Sequence, residues 1–397
     1  MKRLVLSGLL AFAMQAATVN AQTNAGTTPA PAPAPTIGLK DAYAGKFLIG
    51  TAGDVPRGYN DAEQANIKAN YNIITPENCM KPQSVHPQEN TFTWATPDAM
   101  VQWCQANNIK VWGHTLAWHA QTPNWFFQGT NGQPMTRELA MERLSNHITA
   151  EVGRYKGRVY GWDVVNEAIN DNGGGRGENL RNDSWVRVIG PDFLTMAFKW
   201  AHAADPDALL YYNDYNIDQD TNYDSANPQY TGKHTSSMLL LKRLLADGAP
   251  INGVGIQGHW HLYNNIPDIE KAIADYESLG LKIAISELDV TATGGNSGAL
   301  NGGGGGGRGG RGGAPISAEA LQRQAQVYAQ MFDIFNRHAK SMTRVTFWGI
   351  SDQRSWRAGQ YPLVFDAQYN PKPAYQAIID VAQGKYVMPV APIEVPK

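Results

Sequence analysis

Two glutamates carry the most specific chemical signal in this sequence. Glu167 follows the apolar run Val159–Val165, and Glu287 follows a second apolar run that ends at Ser286. Two carboxyl groups held near each other push their pKa values apart, so that one donates a proton while the other is an ionised base or nucleophile. Such a pair can cleave a glycosidic bond. Either glutamate alone is equally an ordinary polar residue at the end of a strand.

Other polar and aromatic side chains follow short apolar runs in the same way. They are Glu77, Asn78 and Lys81; His114, Trp118 and His119; Asn166; Asn213 and Asp214; Gln257, His259 and His261; Asp289; and Trp348. A single polar residue after a strand means little. Seven of eight apolar runs ending in this way are difficult to explain by strand ends alone.

The runs themselves predict an alternation of strands and helices. The predicted strands are Phe47–Gly50, Ile73–Thr75, Val111–Thr115, Val159–Val165, Leu209–Asn213, Val254–Gln257, Lys282–Ser286 and Arg344–Trp348. Helical spacing covers Met135–Tyr155, Phe193–Ala204, Thr235–Asp247, Ile266–Leu279 and Ala318–His338.

This alternation favours an α/β fold of the (β/α)₈ TIM-barrel type, in which functional residues lie at the C-terminal ends of the strands. A doubly wound open sheet is the alternative, but Gly50 to Gly53 lacks the glycine spacing expected after its first strand. No internal repeat or linker divides the region. We therefore predict one catalytic domain over residues 40–385, followed by a C-terminal tail at 386–397.

Composition narrows the function classes. Lys and Arg number 33 against 35 Asp and Glu, a net charge of −2, which argues against a nucleic-acid-binding surface. Two cysteines in 397 residues exclude a disulfide scaffold. Cys79 and Cys104 could pair in an oxidising compartment, but we predict unpaired buried thiols because both lie in segments next to the predicted core.

The N-terminal segment has the pattern of an export signal. Lys2 and Arg3 precede a short apolar run, and Val19-Asn20-Ala21 fits a small-residue cleavage site. Residues 1–21 are therefore predicted to be a signal peptide of a secreted or periplasmic protein, and the run is too short to span a membrane. Residues 22–39, rich in Pro, Ala and Thr, are predicted to be a linker.

A Gly/Arg-rich insertion is predicted at residues 291–313, and within its part 301–313 Arg308 and Arg311 stand among ten glycines. A segment of this composition cannot pack into a core, so we expect an exposed loop. A tolerated loop is the favoured interpretation. Contact with an acidic polymer or with RNA is the alternative.

Four strings in register resemble glycoside hydrolase family 10, the endo-1,4-β-xylanases. They are Thr-Pro-Glu-Asn-Cys-Met-Lys at 75–81, Gly-His-Thr-Leu-Ala-Trp-His at 113–119, Trp-Asp-Val-Val-Asn-Glu-Ala at 162–168 and Ser-Glu-Leu-Asp at 286–289. The resemblance runs from about residue 40 to residue 382. It implies a retaining double displacement on internal bonds of xylan, with Glu167 as acid/base and Glu287 as nucleophile, their carboxyl groups about 5–5.5 Å apart.

The resemblance also implies roles for the surrounding residues. His259 is expected to hydrogen-bond Glu287, and Asp289 to orient the imidazole. The expected substrate-binding residues are Glu77, Asn78, Lys81, His114, Trp118, Asn166, Gln257, His259, Trp348 and Trp356. No cofactor and no metal are implied, and xylan and xylo-oligosaccharides are the expected partners of a monomer.

Other functions remain open at this point. A β-glucan hydrolase would use the same chemistry, and a non-catalytic sugar-binding barrel would have lost a carboxylate. A metal hydrolase is a further alternative, because its metal ion could be bound by His114, His119, His259 and His261. The Trp and amide neighbours of these histidines are more typical of a sugar pocket.

Overall fold

The computed structural model describes residues 37–130, 132–171, 177–220, 232–293 and 316–388. The predicted signal peptide, most of the linker, the glycine-rich part of the insertion from residue 294 and the end of the tail lie outside these residues. Within the described ranges, no helix is both long and apolar enough to cross a membrane.

Eight of the nine strands in the described residues lie where the apolar runs predict them, and the short strand His259–His261 was not predicted. The nine strands are β1 Leu48–Ala52, β2 Ile73–Thr75, β3 Lys110–Trp118, β4 Gly161–Asn166, β5 Leu209–Asp214, β6 Gly253–Ile256, β7 His259–His261, β8 Lys282–Thr291 and β9 Met342–Phe347. All pair in parallel, as strands joined by helical crossovers must.

Eight of these strands close into a barrel, which confirms the predicted fold. β1 to β6 pair in chain order, β6 then pairs with β8, β8 with β9, and β9 returns to β1. The open-sheet alternative is therefore excluded. The short β7 pairs only with the end of β8 among the described strands, matching His259 with Asp289.

Helices precede, separate and follow the strands. They are α1 Leu39–Ala42, α2 Asp61–Asn70, α3 Pro82–Val85, α4 Ala95–Ala106, α5 Arg137–Arg154, α6 Ser184–Val188, α7 Phe193–Ala204, α8 Lys233–Ala246, α9 Ile266–Ser278, α10 Ala318–Arg337 and α11 Pro373–Ala382. Side-chain caps start several of them. Thr136 accepts a hydrogen bond from the Leu139 backbone at α5, and Ser317 accepts one from Ala320 at α10.

Two strands extend three or more residues beyond their predicted C-terminal ends. β3 continues past Thr115 to Trp118, and β8 continues past Ser286 to Thr291. The sequence-based boundary stops at the first polar residues because a buried parallel strand is expected to be apolar. Here the polar residues at the ends of the strands are themselves buried, so the pairing continues through them.

On the paired strands β3 and β4, one tryptophan of each strand lies opposite a glycine of the other. Trp112 lies opposite Gly161, and Gly113 lies opposite Trp162. Trp112 packs inside the barrel with Ile73, whereas Trp162 belongs to the core between the strands and the helices. Each indole covers the α-carbon of the facing glycine, where a side chain would collide with the ring.

Gly113→Ala is therefore expected to destabilise the fold by about 1–3 kcal/mol or more, because the new methyl would lie 2.1 Å from Trp162 Cε3. Urea unfolding of the purified protein measures the loss as a lower midpoint at unchanged slope. Gly153→Ala is the matched control, since this exposed glycine in α5 has no atom within 4 Å of the added methyl. It is expected to stabilise the helix by about 0.5–1 kcal/mol. Equal midpoints for the two variants would contradict the packing argument.

The two cysteines are free and buried, which confirms the prediction of unpaired thiols. The Cys79 sulfur lies 3.8 Å from the Met100 sulfur in the core, and Cys104 is fully buried on α4. Burial raises the pKa of the Cys104 thiol to about 12, so this group is not a reactive thiolate.

Candidate active site

The carboxyl groups of Glu167 and Glu287 lie in one hydrogen-bonded network at the C-terminal ends of the barrel strands. Glu167 follows the last residue of β4, and Glu287 lies within β8. Asn213, at the end of β5, connects them. Its side-chain amide donates to Asn166 Oδ1 at 2.9 Å and to Glu287 Oε1 at 2.9 Å, and Asn166 Nδ2 donates to Glu167 Oε1 at 3.3 Å. The barrel therefore brings the two predicted catalytic carboxylates to the same site.

Glu287 contacts side chains from two other strands, Asn213 of β5 and His259 of β7. The Glu287 side chain is 7% exposed, and its Oε2 lies 3.3 Å from His259 Nε2. The other imidazole nitrogen, Nδ1, lies 2.9 Å from Asp289 Oδ2. This row of Asp289, His259 and Glu287 has the contacts that the family resemblance implies.

The electrostatics of this row favour an ionised carboxylate. Burial alone would raise the pKa of Glu287, but the hydrogen bond from His259 and the nearby His114 and His259 imidazoles lower it below its ordinary value. Burial alone would lower the pKa of His259, whereas the charge of Asp289 raises it to about 9. His259 is therefore a protonated donor near neutral pH, and Glu287 is its anionic acceptor.

Glu167 receives donors on both carboxyl oxygens. Trp118 Nε1 donates to Oε2 at 2.8 Å, and Gln257 Nε2 donates to Oε1 at 2.9 Å. His119 Nδ1 lies 3.9 Å from Oε2. Burial lowers the pKa of His119 to about 4, so this imidazole is neutral near pH 7. The backbone of Glu167 is left-handed, with φ of +56°.

His114 lies within the barrel beside a second carboxylate. Its Nδ1 is 2.9 Å from Asp163 Oδ2, and Trp112 Nε1 donates to Asp163 Oδ1 at 2.8 Å. The Trp348 ring meets the imidazole edge-on, with ring centroids 5.5 Å apart. His114 and His259 are thus both oriented by an aspartate, and both lower the pKa of Glu287.

The predicted residues after β2 form one side of the site. Lys81 is buried, with its ammonium 5.0 Å from the centre of a Trp118 ring and 3.4 Å from Asn78 Oδ1. Burial lowers the pKa of Lys81, although the charges of Glu287 and Glu77 partly oppose this. Burial and then the charge of Asp54 raise the pKa of Glu77. The amino group of Lys81 and the carboxyl group of Glu77 therefore lie within electrostatic reach of Glu287.

Trp356 forms an exposed aromatic surface above His259. It is 53% exposed, and its ring centroid lies 5.0 Å from that of His259. Trp356 Nε1 and Arg357 Nη1 donate to the two oxygens of Asp289 at 2.9 and 3.0 Å. The same aspartate therefore positions both His259 and the exposed indole. Trp348, in contrast, is buried.

Three residues of the network were not among the predicted site residues. Asn213 connects the two glutamates, Asp163 orients His114, and Arg181 contacts the backbone of Glu167. Asn213 has a signal in the sequence, because it ends the fifth apolar run and β5 pairs it with Asn166. Asp163 belongs to the string at 162–168 but lies inside a strand and not after one, and Arg181 lies in a loop without a comparable signal.

Three of the four histidines considered as metal ligands form hydrogen bonds with carboxylates or backbone groups. Asp163 and Asp289 hold His114 and His259, and His261 Nδ1 accepts from the Tyr263 backbone. Across the described ranges, no group of three or more His, Cys, Asp or Glu side chains is arranged to hold a metal ion.

Residues 38–381 match the family model described as glycosyl hydrolase family 10. The chain is 36% identical to endo-1,4-beta-xylanase B of Paenibacillus barcinonensis, covering 86% of this chain and 97% of the relative. It is 38% identical to a protein of Acetivibrio thermocellus named an exoglucanase, covering 87% of this chain. The match spans only 30% of that relative's length and 28% of endo-1,4-beta-xylanase A of Thermoanaerobacterium saccharolyticum.

A solved structure has the same architecture. The intracellular xylanase of Thermoanaerobacterium saccharolyticum, in complex with xylotriose, superposes with a TM-score of 0.74 at 37% identity. The alignment covers 86% of this chain and 98% of that structure. The similarity therefore includes almost the whole of the solved barrel.

Proposed function

The chain belongs to glycosyl hydrolase family 10, and on this premise we propose that it is a retaining endo-1,4-β-xylanase that uses Glu287 and Glu167. The observation that carries the proposal is the network through Asn213, which brings an ionised carboxylate and a second carboxyl group to one end of the barrel. The xylanases among its relatives, one solved with xylotriose, support xylan as the substrate.

Glu287 is the proposed nucleophile. Its lowered pKa keeps the carboxylate ionised, and contacts with His259 and Asn213 orient its oxygens. In the first step, a carboxylate oxygen bonds to the anomeric carbon as the glycosidic C–O bond breaks. The electron pair of that bond goes to the leaving oxygen, which takes a proton from Glu167.

Glu167 acts in both steps as acid and then as base. Once it has given up its proton, its carboxylate removes a proton from water, and the water oxygen bonds to the anomeric carbon. The bond to Glu287 breaks and its carboxylate is restored. The sugar thereby regains its original configuration after two inversions. The Trp118 and Gln257 hydrogen bonds hold the Glu167 carboxyl in place through both steps.

The surrounding side chains are proposed to bind the sugar units. Asn166 is assigned the 2-hydroxyl of the sugar at the cleavage site, where hydrogen bonds strengthen in the transition state. Glu77, Asn78, Lys81 and His114 are assigned neighbouring hydroxyls. Trp348 and Trp356 are proposed to lie over the sugar and to disfavour a hydroxymethyl group, which would select xylose over glucose.

Reducing-sugar release tests this proposal. Soluble xylan and carboxymethyl-cellulose are incubated separately with the wild-type protein and with Glu287→Ala, each with and without EDTA. Cleavage of xylan that survives EDTA and is lost in the variant is expected. Faster cleavage of cellulose would favour the second candidate, a β-glucanase, which the Acetivibrio relative's name suggests. Loss of activity in EDTA would indicate a metal hydrolase. No cleavage of either polymer would indicate a non-catalytic sugar-binding barrel.

Export and oligomeric state are further parts of the proposal. The basic start, short apolar run and small-residue site at 19–21 support cleavage after Ala21 and a secreted or periplasmic enzyme. N-terminal sequencing of the protein recovered outside the cytoplasm tests this, and a mature chain that begins at Met1 would contradict it. We propose a monomer, because all groups of the site come from one chain. Light scattering measures its mass.

Asp289→Asn is expected to narrow the pH range of activity. Asp289 keeps the pKa of His259 at about 9, so the variant should lose the His259 proton at lower pH. Below that pKa His259 keeps its positive charge, so the acid limb changes little, but the charge beside Glu287 is lost earlier as the pH rises and the alkaline limb of kcat/KM should move to lower pH. The measurement is kcat/KM on xylo-oligosaccharide against pH. A profile of unchanged width would contradict the role of Asp289.

A further inference from the structure

We propose that Arg181 is a positioning residue that holds the main chain of Glu167 and so aims its carboxyl group, an inference that rests on the proposed function. The feature that needs explanation is the Glu167 backbone. Its φ of +56° lies in the left-handed region, which costs a residue with a β-carbon about 1–2 kcal/mol. Such a conformation persists where neighbouring groups impose it.

The Arg181 guanidinium spans two carbonyls of the segment after β4. Its Nε donates to the Glu167 carbonyl oxygen at 3.1 Å, and its Nη2 donates to the Ile169 carbonyl oxygen at 3.1 Å. The Arg181 backbone N–H donates to the carbonyl of Ala168 at 2.7 Å. Three successive carbonyls of the segment that begins with Glu167 are thus bound by one residue.

The guanidinium is itself fixed from its other side. Nη1 donates to Asp171 Oδ2 at 3.1 Å, and Nη2 also lies 3.2 Å from the Tyr215 hydroxyl. Asp171 in turn pairs with the buried ammonium of Lys233 at 3.1 Å. The Arg181 side chain is only 16% exposed. A planar fork held in this way presents its donors in one orientation, which the single ammonium of a lysine cannot reproduce.

Glu167 is consequently held from both ends. The donors Trp118 and Gln257 hold the carboxyl group, while the main chain is held by Arg181 at the carbonyl and by Asn213, whose carbonyl accepts the Glu167 N–H at 2.8 Å. Without Arg181 the peptide after Glu167 can rotate, and the carboxyl group moves away from the leaving oxygen. A displacement of about 1 Å can cost about 10²-fold in rate.

The test compares two substrates that differ in their need for an acid. Cleavage of xylotetraose expels a sugar alkoxide, a poor leaving group that needs a proton from Glu167, whereas dinitrophenolate departs from dinitrophenyl β-xylobioside without one. Arg181→Met is expected to lower kcat on xylotetraose about 10- to 100-fold with KM changed less than about threefold. The kcat/KM on the dinitrophenyl substrate should change less than about threefold, because only the unassisted first step is measured. Arg181→Lys should restore only part of the loss.

Azide provides a second readout that a general loss of structure would not produce. Azide attacks the glycosyl–enzyme without a base, so it should raise kcat of Arg181→Met on the dinitrophenyl substrate. Arg243→Met is the matched control, because Arg243 also pairs with the segment before Arg181, through Glu178, but binds none of these carbonyls. It is expected to keep wild-type rates on both substrates.

The outcomes separate the two proposals. A wild-type protein inactive on both substrates would overturn the proposed function itself. If the wild type is active, two results would overturn only the positioning role. One is an equal loss of rate on both substrates in Arg181→Met without an effect of azide, and the other is an unchanged rate of this variant on xylotetraose. If Arg181→Met unfolds, as urea denaturation would reveal, Arg181→Lys is put through the same comparison and decides between these outcomes.

Discussion

Glu287→Ala is expected to reduce xylan hydrolysis on the order of 10⁴-fold or more, with the substrate still bound. The first step needs an ionised oxygen at the anomeric carbon, and Glu287 has the pKa lowered by His259 that this role requires. Neutral alanine leaves His259 and Asn213 directed at an empty space of carboxylate size. The measurement is kcat/KM on xylan and on an aryl β-xylobioside.

Added azide gives this variant a distinctive product. Azide that enters the space of the Glu287 carboxylate attacks the face opposite the leaving group, so one inversion yields the α-xylobiosyl azide from the aryl substrate. Glu319→Ala, which removes an exposed carboxylate in the first turn of α10, is the control and should keep wild-type activity. Glu287→Ala activity within about tenfold of the wild type would rule out a nucleophilic role of that size.

Glu167→Ala is expected to lose about 10²- to 10⁴-fold on xylan, the usual contribution of a general acid or base. The loss should depend on the leaving group, because dinitrophenolate departs without a proton. On dinitrophenyl β-xylobioside the first step should remain fast and the second should become limiting, which appears as a burst of dinitrophenolate followed by a slow steady rate.

Azide again identifies the step, now with the opposite stereochemistry. It attacks the glycosyl–enzyme from the side that Glu167 faces, so two inversions give the β-xylobiosyl azide and the steady rate rises. Gln257→Ala is a useful comparison because it removes one hydrogen bond to the carboxyl group but keeps the carboxyl itself. The loss of activity on xylan in Gln257→Ala should be smaller than that in Glu167→Ala. If Glu167→Ala formed the α-xylobiosyl azide, or lost activity equally on xylan and on the dinitrophenyl substrate, the acid/base assignment would be wrong.

Local patterns in the sequence were sufficient to predict the barrel and the order of its functional groups. Apolar runs of strand length alternate with helical spacing, and in a closed parallel barrel the residues that follow each run meet at one end. Glu167 and Glu287 are predicted to face each other on this argument alone. The contacts of His259 with Glu287 and Asp289 needed the family resemblance, because no spacing within one strand determines them.

The tertiary structure alone decided how each group is held. Asn213 connects the glutamates only because β5 pairs with β4 in a particular register, and Arg181 reaches Glu167 from a loop. Strand boundaries also depended on it, since β8 continues through Glu287 once β7 pairs with its end. Propensity and periodicity describe neighbours along the chain. Hydrogen bonds between separate strands and loops, and the burial that shifts the pKa values of Glu287 and His259, exist only after the barrel closes.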